Sequence, residues 1–209
     1  MRDLVAVQDQ NFLSFAGTLT EQEWNEPSLC RGWTNKDVLA HLVLGLQLPV
    51  PRLAAAMSRH RWSFDATNEV LSREHADRHV ASELVDAFDR IRVRPRGIGR
   101  LLPTPLMLGD HAVHHLDIAL ALGRSDVLPP EIANAVLAVE TRIPNPFVPA
   151  AARARGLTLR TTDTTWSRPG DPALDVVGPA DSLVSVLAGR PNALPRLTGN
   201  GIATLQNRM

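Results

Sequence analysis

The segment Asp110-His111-Ala112-Val113-His114-His115-Leu116-Asp117 places three imidazoles and two carboxylates in eight residues, inside an otherwise apolar helical pattern. At about 3.6 residues per turn, Asp110, His114 and Asp117 fall at i, i+4 and i+7, on one helix face. A carboxylate and an imidazole one turn apart can ligate the same divalent cation when another helix supplies a third ligand. One helix offers ligands only along one stripe, so a site of this kind needs facing helices. The segment therefore points to a helical bundle with a metal site as the first chemistry to test.

The chain is long enough to build such a bundle. Its 209 residues can bury one core, or one main domain with a small appendage. A hydrophobic share of 44% with 21% charged residues is that of a soluble globular protein. Basic and acidic side chains balance at 22 each, which argues against a nucleic-acid or membrane-surface partner. The run Arg90, Arg92, Arg94, Arg96 and Arg100 reads as a solvated helix end and loop, not a phosphate-binding patch. Cys30 is the single cysteine, so neither an internal disulfide nor a cysteine-based zinc site is available. Residues 1–8 lack the apolar run of a signal peptide, and no window approaches the ~20 apolar residues of a membrane span. A cytoplasmic protein is expected, and an oligomer is compatible with everything in the sequence.

Helical signals fill the first two-thirds. Leu4, Val7, Phe12, Phe15 and Leu19 keep roughly helical spacing until Gly17-Thr18. Thr34, with Asp37 three residues on, predicts a capped helix whose stripe is Val38, Leu39, Leu42, Val43 and Leu46, with His41 beside it. Pro49 and Pro51 interrupt it, and a helix resumes from Leu53 to about His60. Residues 61–78 are polar and mixed and carry no assignable element. Val80, Leu84, Val85, Phe88 and Ile91 predict a helix that ends before Pro95 and Gly97. Thr104 is read as the cap of the next helix, with Pro105 in its first turn and Gly123 as its stop. Pro129-Pro130 start a helix over residues 131–142, ended by Pro144 and Pro146.

Beyond Pro149 the pattern changes. Residues 157–163 alternate with period two as a half-buried strand does, Trp166 continues a paired strand, and Leu174 to Val177 ends at Gly178-Pro179. Asp181 is read as the cap of a short helix over 182–188, closed by Gly189, and an amphipathic piece over 202–209 finishes the chain. The expected fold is mainly α: a helical bundle over 1–152, followed by a small α+β extension over 153–209.

For a three-ligand site, Asp110 and His114 supply two donors, and His41 is the best third because it alone among the other histidines lies in a strongly apolar helical stripe. Three protein ligands with an open position is the arrangement of catalytic metal sites, and this donor set suits Zn²⁺, Ni²⁺, Fe²⁺ or Mn²⁺. The competing readings are a core histidine with a hydrogen-bond partner for His41, and an intrahelical pair for Asp110 with His114. Asp117, one turn below His114, would orient its imidazole, with a surface charge as the alternative. His111 and His115 lie about 100° around the helix and read as alternate ligands, supporting groups or bystanders, while His60, His75 and His79 read as surface residues. Cys30 has no identifiable base partner and packs beside Trp33. Without a strained serine elbow, a glycine-rich phosphate loop or any tyrosine, a metal is the best source of chemistry in this chain.

The segments Pro27-Ser28-Leu29-Cys30-Arg31-Gly32-Trp33-Thr34, Asp37-Val38-Leu39-Ala40-His41-Leu42 and Leu108-Gly109-Asp110 through Ile118 resemble the mycothiol-dependent maleylpyruvate isomerase family of the DinB-like metalloprotein superfamily. Gly156-Leu157-Thr158-Leu159-Arg160, Asp163, Trp166 and Gly178-Pro179-Ala180 through Ala188-Gly189-Arg190 extend the resemblance over nearly the whole chain. It implies a DinB-like four-helix bundle with a divalent metal, commonly zinc, on the matching positions His41, Asp110 and His114. Asp110 stands where the family often has Glu, and its shorter side chain must approach more closely. The resemblance also implies a mycothiol thiolate near the metal, which adds to the substrate so that rotation and elimination give cis–trans isomerisation, or S-transfer in relatives. The tail resembles a reduced sterol-carrier-like domain, in which Arg160 and Arg190 read as surface residues, with a functional arginine as the alternative. The expected activity is thus a metal-dependent isomerase or S-transferase acting on a small molecule with a low-molecular-weight thiol. A metal-dependent hydrolase and a non-enzymatic metal-binding bundle are the alternatives.

Overall fold

The computed structural model describes residues 1–125, 127–145 and 147–209, and the backbone divides into two units, Arg2–Thr104 and, with Met1, Pro105–Met209. Helix α1 (Arg2–Ala16) buries Val5, Gln8, Asp9, Phe12 and Ala16, whereas Val7 is 44% exposed. Its inward face is therefore rotated from the stripe expected through Leu4 and Val7, with Phe12 common to both. Helix α2 (Glu21–Asn25) was not expected: five residues are too short for an apolar stripe. It forms because Thr20 and Glu23 cap each other reciprocally, the Thr20 N–H donating to Glu23 Oε2 at 2.7 Å and the Glu23 N–H to Thr20 Oγ1 at 3.2 Å.

Helix α3 (Asn35–Gln47) starts at the box predicted from Thr34 and Asp37, with the Thr34 N–H donating to Asp37 Oδ2 at 2.8 Å. Val38, Leu39, Leu42, Val43 and Leu46 are fully buried or nearly so. Pro49 ends it, and α4 (Val50–Arg59) begins at once with Pro51 in its first turn, where the missing N–H costs nothing. Helix α5 (Phe64–Asp77) fills the stretch that had no assignable element. Ser63 caps it through the Ala66 N–H at 3.3 Å, and its buried residues are Thr67, Ser72 and Ala76. Small and polar buried residues leave no apolar period to read.

Helix α6 (Ala81–Arg92) follows as expected, and a 3-10 turn over Gly97–Arg100 lies against the end of α3. There the Arg96 N–H donates to the Leu46 carbonyl at 2.7 Å and the Ile98 N–H to the Leu48 carbonyl at 2.9 Å, satisfying carbonyls that the helix leaves open. Gly99 permits this approach, since a Cβ there would lie 2.7 Å from the Leu46 carbonyl oxygen. In the core of this unit the Phe12 and Phe88 rings meet edge to face, centroids 5.3 Å apart at 81°. Both are essentially inaccessible. Phe88→Ala is expected to lower unfolding free energy by about 3–5 kcal/mol; urea denaturation followed by tryptophan fluorescence checks this, and a loss under about 1 kcal/mol would contradict the packing described.

Helix α7 (Thr104–Ala119) leads into the second unit and ends short of its expected stop: Gly123, in the left-handed region (φ +70°), follows a further turn, and the Arg124 N–H donates to the Ala119 carbonyl at 2.9 Å. Thr104 is the first helical residue rather than the cap. Helix α8 (Pro130–Arg142) matches expectation; of its two expected stops, Pro144 follows the helix and Pro146 lies outside the described residues. After α9 (Ala150–Arg153) come β1 (Leu157–Thr161), β2 (Ser167–Arg168) and β3 (Asp171–Gly178) in the order β2-β1-β3. β1 pairs antiparallel with β2 and parallel with β3, Leu159 opposite Val176.

Helix α10 (Ala180–Leu187) carries a correction. Asp181 is not its cap: it lies inside the helix, 2% exposed, and accepts the Val127 N–H at 3.1 Å. Asp163 caps instead, accepting the Ala180 N–H at 2.9 Å from the turn after β1. Pro179 precedes the helix and has no side-chain oxygen, so the acceptor comes from elsewhere in the fold. A 3-10 turn over Pro191–Arg196 and α11 (Ile202–Gln206) complete the unit. The chain is thus mainly helical with a small three-stranded sheet near its C-terminal end. Among the described residues, no helix is long and apolar enough to cross a membrane.

Candidate metal centre

The expected site residues divide between the two units. His41 belongs to the first, on α3, where the buried stripe of Val38, Leu39, Leu42 and Val43 leaves it only 9% exposed. Its Nδ1–H donates to Asn68 Oδ1 at 2.9 Å. Asn68 is on α5, which packs against α3, and Ser72 one turn on donates to the same oxygen at 3.5 Å. On the other side the Trp33 ring stands 5.5 Å from the imidazole, centroid to centroid. Trp33 is placed by the turn Cys30–Trp33, closed by its N–H on the Cys30 carbonyl at 3.0 Å, with Gly32 in the left-handed region (φ +79°). Arg73 holds this turn from α5, donating to the Gly32 carbonyl at 2.6 Å. With Nδ1 committed to Asn68, a ligand role for His41 uses Nε2.

In the second unit, Asp110, His114 and Asp117 share one face of α7. His114 Nε2 lies 3.6 Å from Asp110 Oδ1, and its Nδ1–H donates to Asp117 Oδ2 at 2.9 Å. Asp117 is 1% exposed, which removes the reading of it as a surface charge. Arg190 meets it with a two-pronged contact, Nε to Oδ1 at 2.8 Å and Nη2 to Oδ2 at 2.7 Å. The third nitrogen, Nη1, donates to the Ala188 carbonyl at 2.8 Å. The surface position expected for Arg190 is thus corrected: its side chain is 17% exposed and engaged with Asp117. Gly189 makes this possible by turning the chain at φ +96°, while the Arg190 N–H donates to the Ser185 carbonyl at 3.0 Å. Arg160 is exposed.

Electrostatics follow from this geometry. Burial works against a charge on Asp117, but the Arg190 guanidinium and the His114 hydrogen bond outweigh it and hold the carboxyl well below its usual range. Asp117 thus accepts from His114 as a carboxylate. Glu140 on α8 is the contrast: burial pushes its carboxyl well above the usual range despite the pull of Arg190 and Arg153. His111 and His115, on the other faces of α7, are 3% and 0% exposed. Burial lowers the His115 pKa to about 3, so it is neutral at physiological pH. An unfolded histidine binds a proton near pH 6.5, so His115 withdraws stability as pH falls from there toward 3, by about 1.4 kcal/mol per unit. Its ring-proton NMR shift is expected to stay flat between about pH 5 and 8; a midpoint in that window would contradict the buried, neutral placement.

The remaining candidates are dispersed. His60, His75 and His79 are partly exposed, and His79 Nδ1–H donates to the His75 carbonyl at 2.8 Å. Cys30 is a half-buried thiol in the turn that carries Trp33. The sequence reading missed Asn68 and the pairing of Arg190 with Asp117. Asn68 lay in the unassigned stretch, where Ser63 and Asp65 were the only helix-start signals. Arg190 is 73 residues from Asp117, and no local pattern links them.

The model of the mycothiol maleylpyruvate isomerase N-terminal domain matches residues 5–119, more than half of the chain. The crystal structure of the mycothiol-dependent maleylpyruvate isomerase superposes with a TM-score of 0.54 at 18% identity, covering 90% of this chain and 88% of that one. The crystal structure of a histidine-to-alanine mutant of the mycothiol-dependent isomerase gives a TM-score of 0.57 at 18% identity, covering 94% and 90%. At that identity these likenesses show the fold. No protein of curated function matches in sequence. The domain match, with its coverage of both the Trp33–His41 and the Asp110–Asp117 segments, places the chain in the mycothiol-dependent maleylpyruvate isomerase family.

Proposed function

We propose that this protein is a divalent-metal-dependent enzyme that uses a low-molecular-weight thiol of the mycothiol type to isomerise a small molecule, or to transfer sulfur to it. The observation that carries the reading is shared by the two histidines. Each commits Nδ1–H to an oxygen acceptor, Asn68 Oδ1 for His41 and Asp117 Oδ2 for His114. An acceptor behind the ring fixes the tautomer that presents Nε2, as is usual for metal-ligating histidines. Asp110 Oδ1 at 3.6 Å from His114 Nε2 is near enough for one cation to touch both. His41, Asp110 and His114 would hold the metal, zinc being the best fit to two imidazoles and a carboxylate, with nickel, iron or manganese accepted by the same donors.

A bound metal of this kind keeps a thiol deprotonated, and hence nucleophilic, at neutral pH. This chain's own residues do the rest. Arg190 keeps Asp117 ionised, Asp117 holds the proton of His114 on Nδ1, and Asn68 does the same for His41. Trp33 stands tilted beside the His41 ring. In this reading residues 1–152 form a DinB-like four-helix bundle that carries the three ligands, and residues 153–209 form the extension that contributes Arg190. The protein is a cytoplasmic enzyme with small-molecule partners, and neither nucleic acid nor membrane enters its action.

Calorimetric titration of mycothiol into the zinc-loaded and the metal-stripped protein tests the proposal. Saturable heat with the loaded protein and none with the stripped one is expected, followed by thiol-dependent conversion of maleylpyruvate or a related cis-alkene acid. Thiol-independent ester hydrolysis would turn the reading toward a hydrolase. Absence of heat with the loaded protein would overturn the thiol chemistry altogether.

A further inference from the structure

The second unit contains a recess of about 370 Å³ lined by Pro149, Ala152, Arg153, Arg155 and Arg208. Three of its five lining residues are arginines, and none is acidic. Such a concentration of one charge is unusual in a chain whose charges balance overall. Each guanidinium would ordinarily swing into solvent, where water screens the mutual repulsion. Here the main chain holds two of them. Arg208 Nη1 donates to the carbonyls of Arg153 at 2.7 Å and Arg155 at 2.6 Å, so it bridges the end of α9. Arg153 Nη1 donates to the Leu187 carbonyl at 2.8 Å, and its guanidinium lies over Gly189, where a Cβ would come within 2.9 Å of Nη2. Arg153 Nε is buried and makes no hydrogen bond among the described residues. Arg155 is exposed, and no side-chain hydrogen bond or ion pair engages it among those residues.

We propose that this recess binds a small molecule through a phosphate or carboxylate group. The guanidinium fork matches either oxyanion with paired, charge-assisted hydrogen bonds. The volume exceeds what a bare ion needs and falls at the lower end of small-ligand sites, so the anionic group belongs to a compact metabolite. Pro149 and Ala152 provide an apolar wall for its carbon skeleton. Backbone carbonyls hold the Arg208 and Arg153 guanidiniums in place, and no carboxylate lines the recess to compete with an incoming anion. The proposal is independent of the metal and thiol reading, because neither His41, Asp110 nor His114 lines this recess.

The test is calorimetric titration of the full-length protein with inorganic phosphate and, separately, with succinate, at constant ionic strength set by chloride. Saturable one-site binding of either anion is expected, and which of the two binds identifies the oxyanion. Arg155→Gln should weaken it about tenfold, the loss of one charge-assisted hydrogen bond. Arg155 supports no other group, so this variant keeps its fold, and Arg208→Gln should weaken binding as well. Arg94→Gln, an exposed arginine in the other unit, should change nothing. The proposal fails if neither anion saturates, if Arg155→Gln binds as wild type, or if Arg94→Gln has the same effect as Arg155→Gln. It fails equally if vesicles of anionic phospholipid bind while both free anions do not.

Discussion

Under the proposed function, His114→Ala protein is expected to retain less than about a tenth of the divalent metal bound by wild type, because a proposed ligand and its hydrogen bond to Asp117 disappear together. Elemental analysis after dialysis against a weak chelator gives the measurement directly. His41→Ala should show a comparable loss if its imidazole is the third donor, as proposed. Asp117→Asn retains the three proposed ligands but loses the carboxylate behind His114, and its metal affinity should fall by about 10–100-fold. This graded series separates ligands from supporting groups. Circular dichroism at the same concentration guards against counting an unfolded variant as a metal-free one. Equal metal in wild type, His41→Ala and His114→Ala would remove the foundation of the proposed function.

Arg190→Leu should lower the unfolding free energy by about 3–5 kcal/mol, the range for removing one partner of a buried ion pair. The physical reason is the residue left behind. Asp117 is 1% exposed and accepts two hydrogen bonds from this guanidinium, so its charge would stay buried with only His114 to meet it. Thermal unfolding should shift down by roughly 10 °C. The acid dependence supplies a second signature. In the folded protein the Asp117 carboxyl is held below its unfolded range, so its contribution is present above that range and lost as the pH falls through the folded value. The stability gap between wild type and Arg190→Leu should therefore close in acid. Adding Asp117→Asn to Arg190→Leu should recover part of the loss, since the pair is coupled through direct contact. A loss under about 1 kcal/mol, constant with pH, would show that the contact does not support the fold.

Legibility in the sequence followed the range of the interaction. The start of α3 was readable because Thr34 and Asp37 satisfy each other across one turn, and its buried stripe because leucine and valine recur at helical spacing. The face shared by Asp110, His114 and Asp117 was readable for the same reason. Helix α5 was not, because it buries Thr67, Ser72 and Ala76, which are too small and too polar to leave a period. With α5 unassigned, Asn68 could not be recognised as the partner of His41. Asp181 was misread as a cap because its position after Pro179 looks right locally. The acceptor for the Ala180 N–H came instead from Asp163, 17 residues before it. The parallel pairing of β1 with β3 was also out of reach, since strand alternation shows that a strand exists and not which neighbour it takes.

Residue order and helical period alone therefore determined that this chain is mainly helical, where its principal helices begin, and that His41, Asp110, His114 and Asp117 are the residues to watch. Those are properties of contacts within a turn or two, and they are encoded within a turn or two. Only the tertiary structure decided that Asp117 is a buried carboxylate and that Arg190, 73 residues away, keeps it charged. A charge survives burial only when a partner is brought to it, and that partner is chosen by the fold.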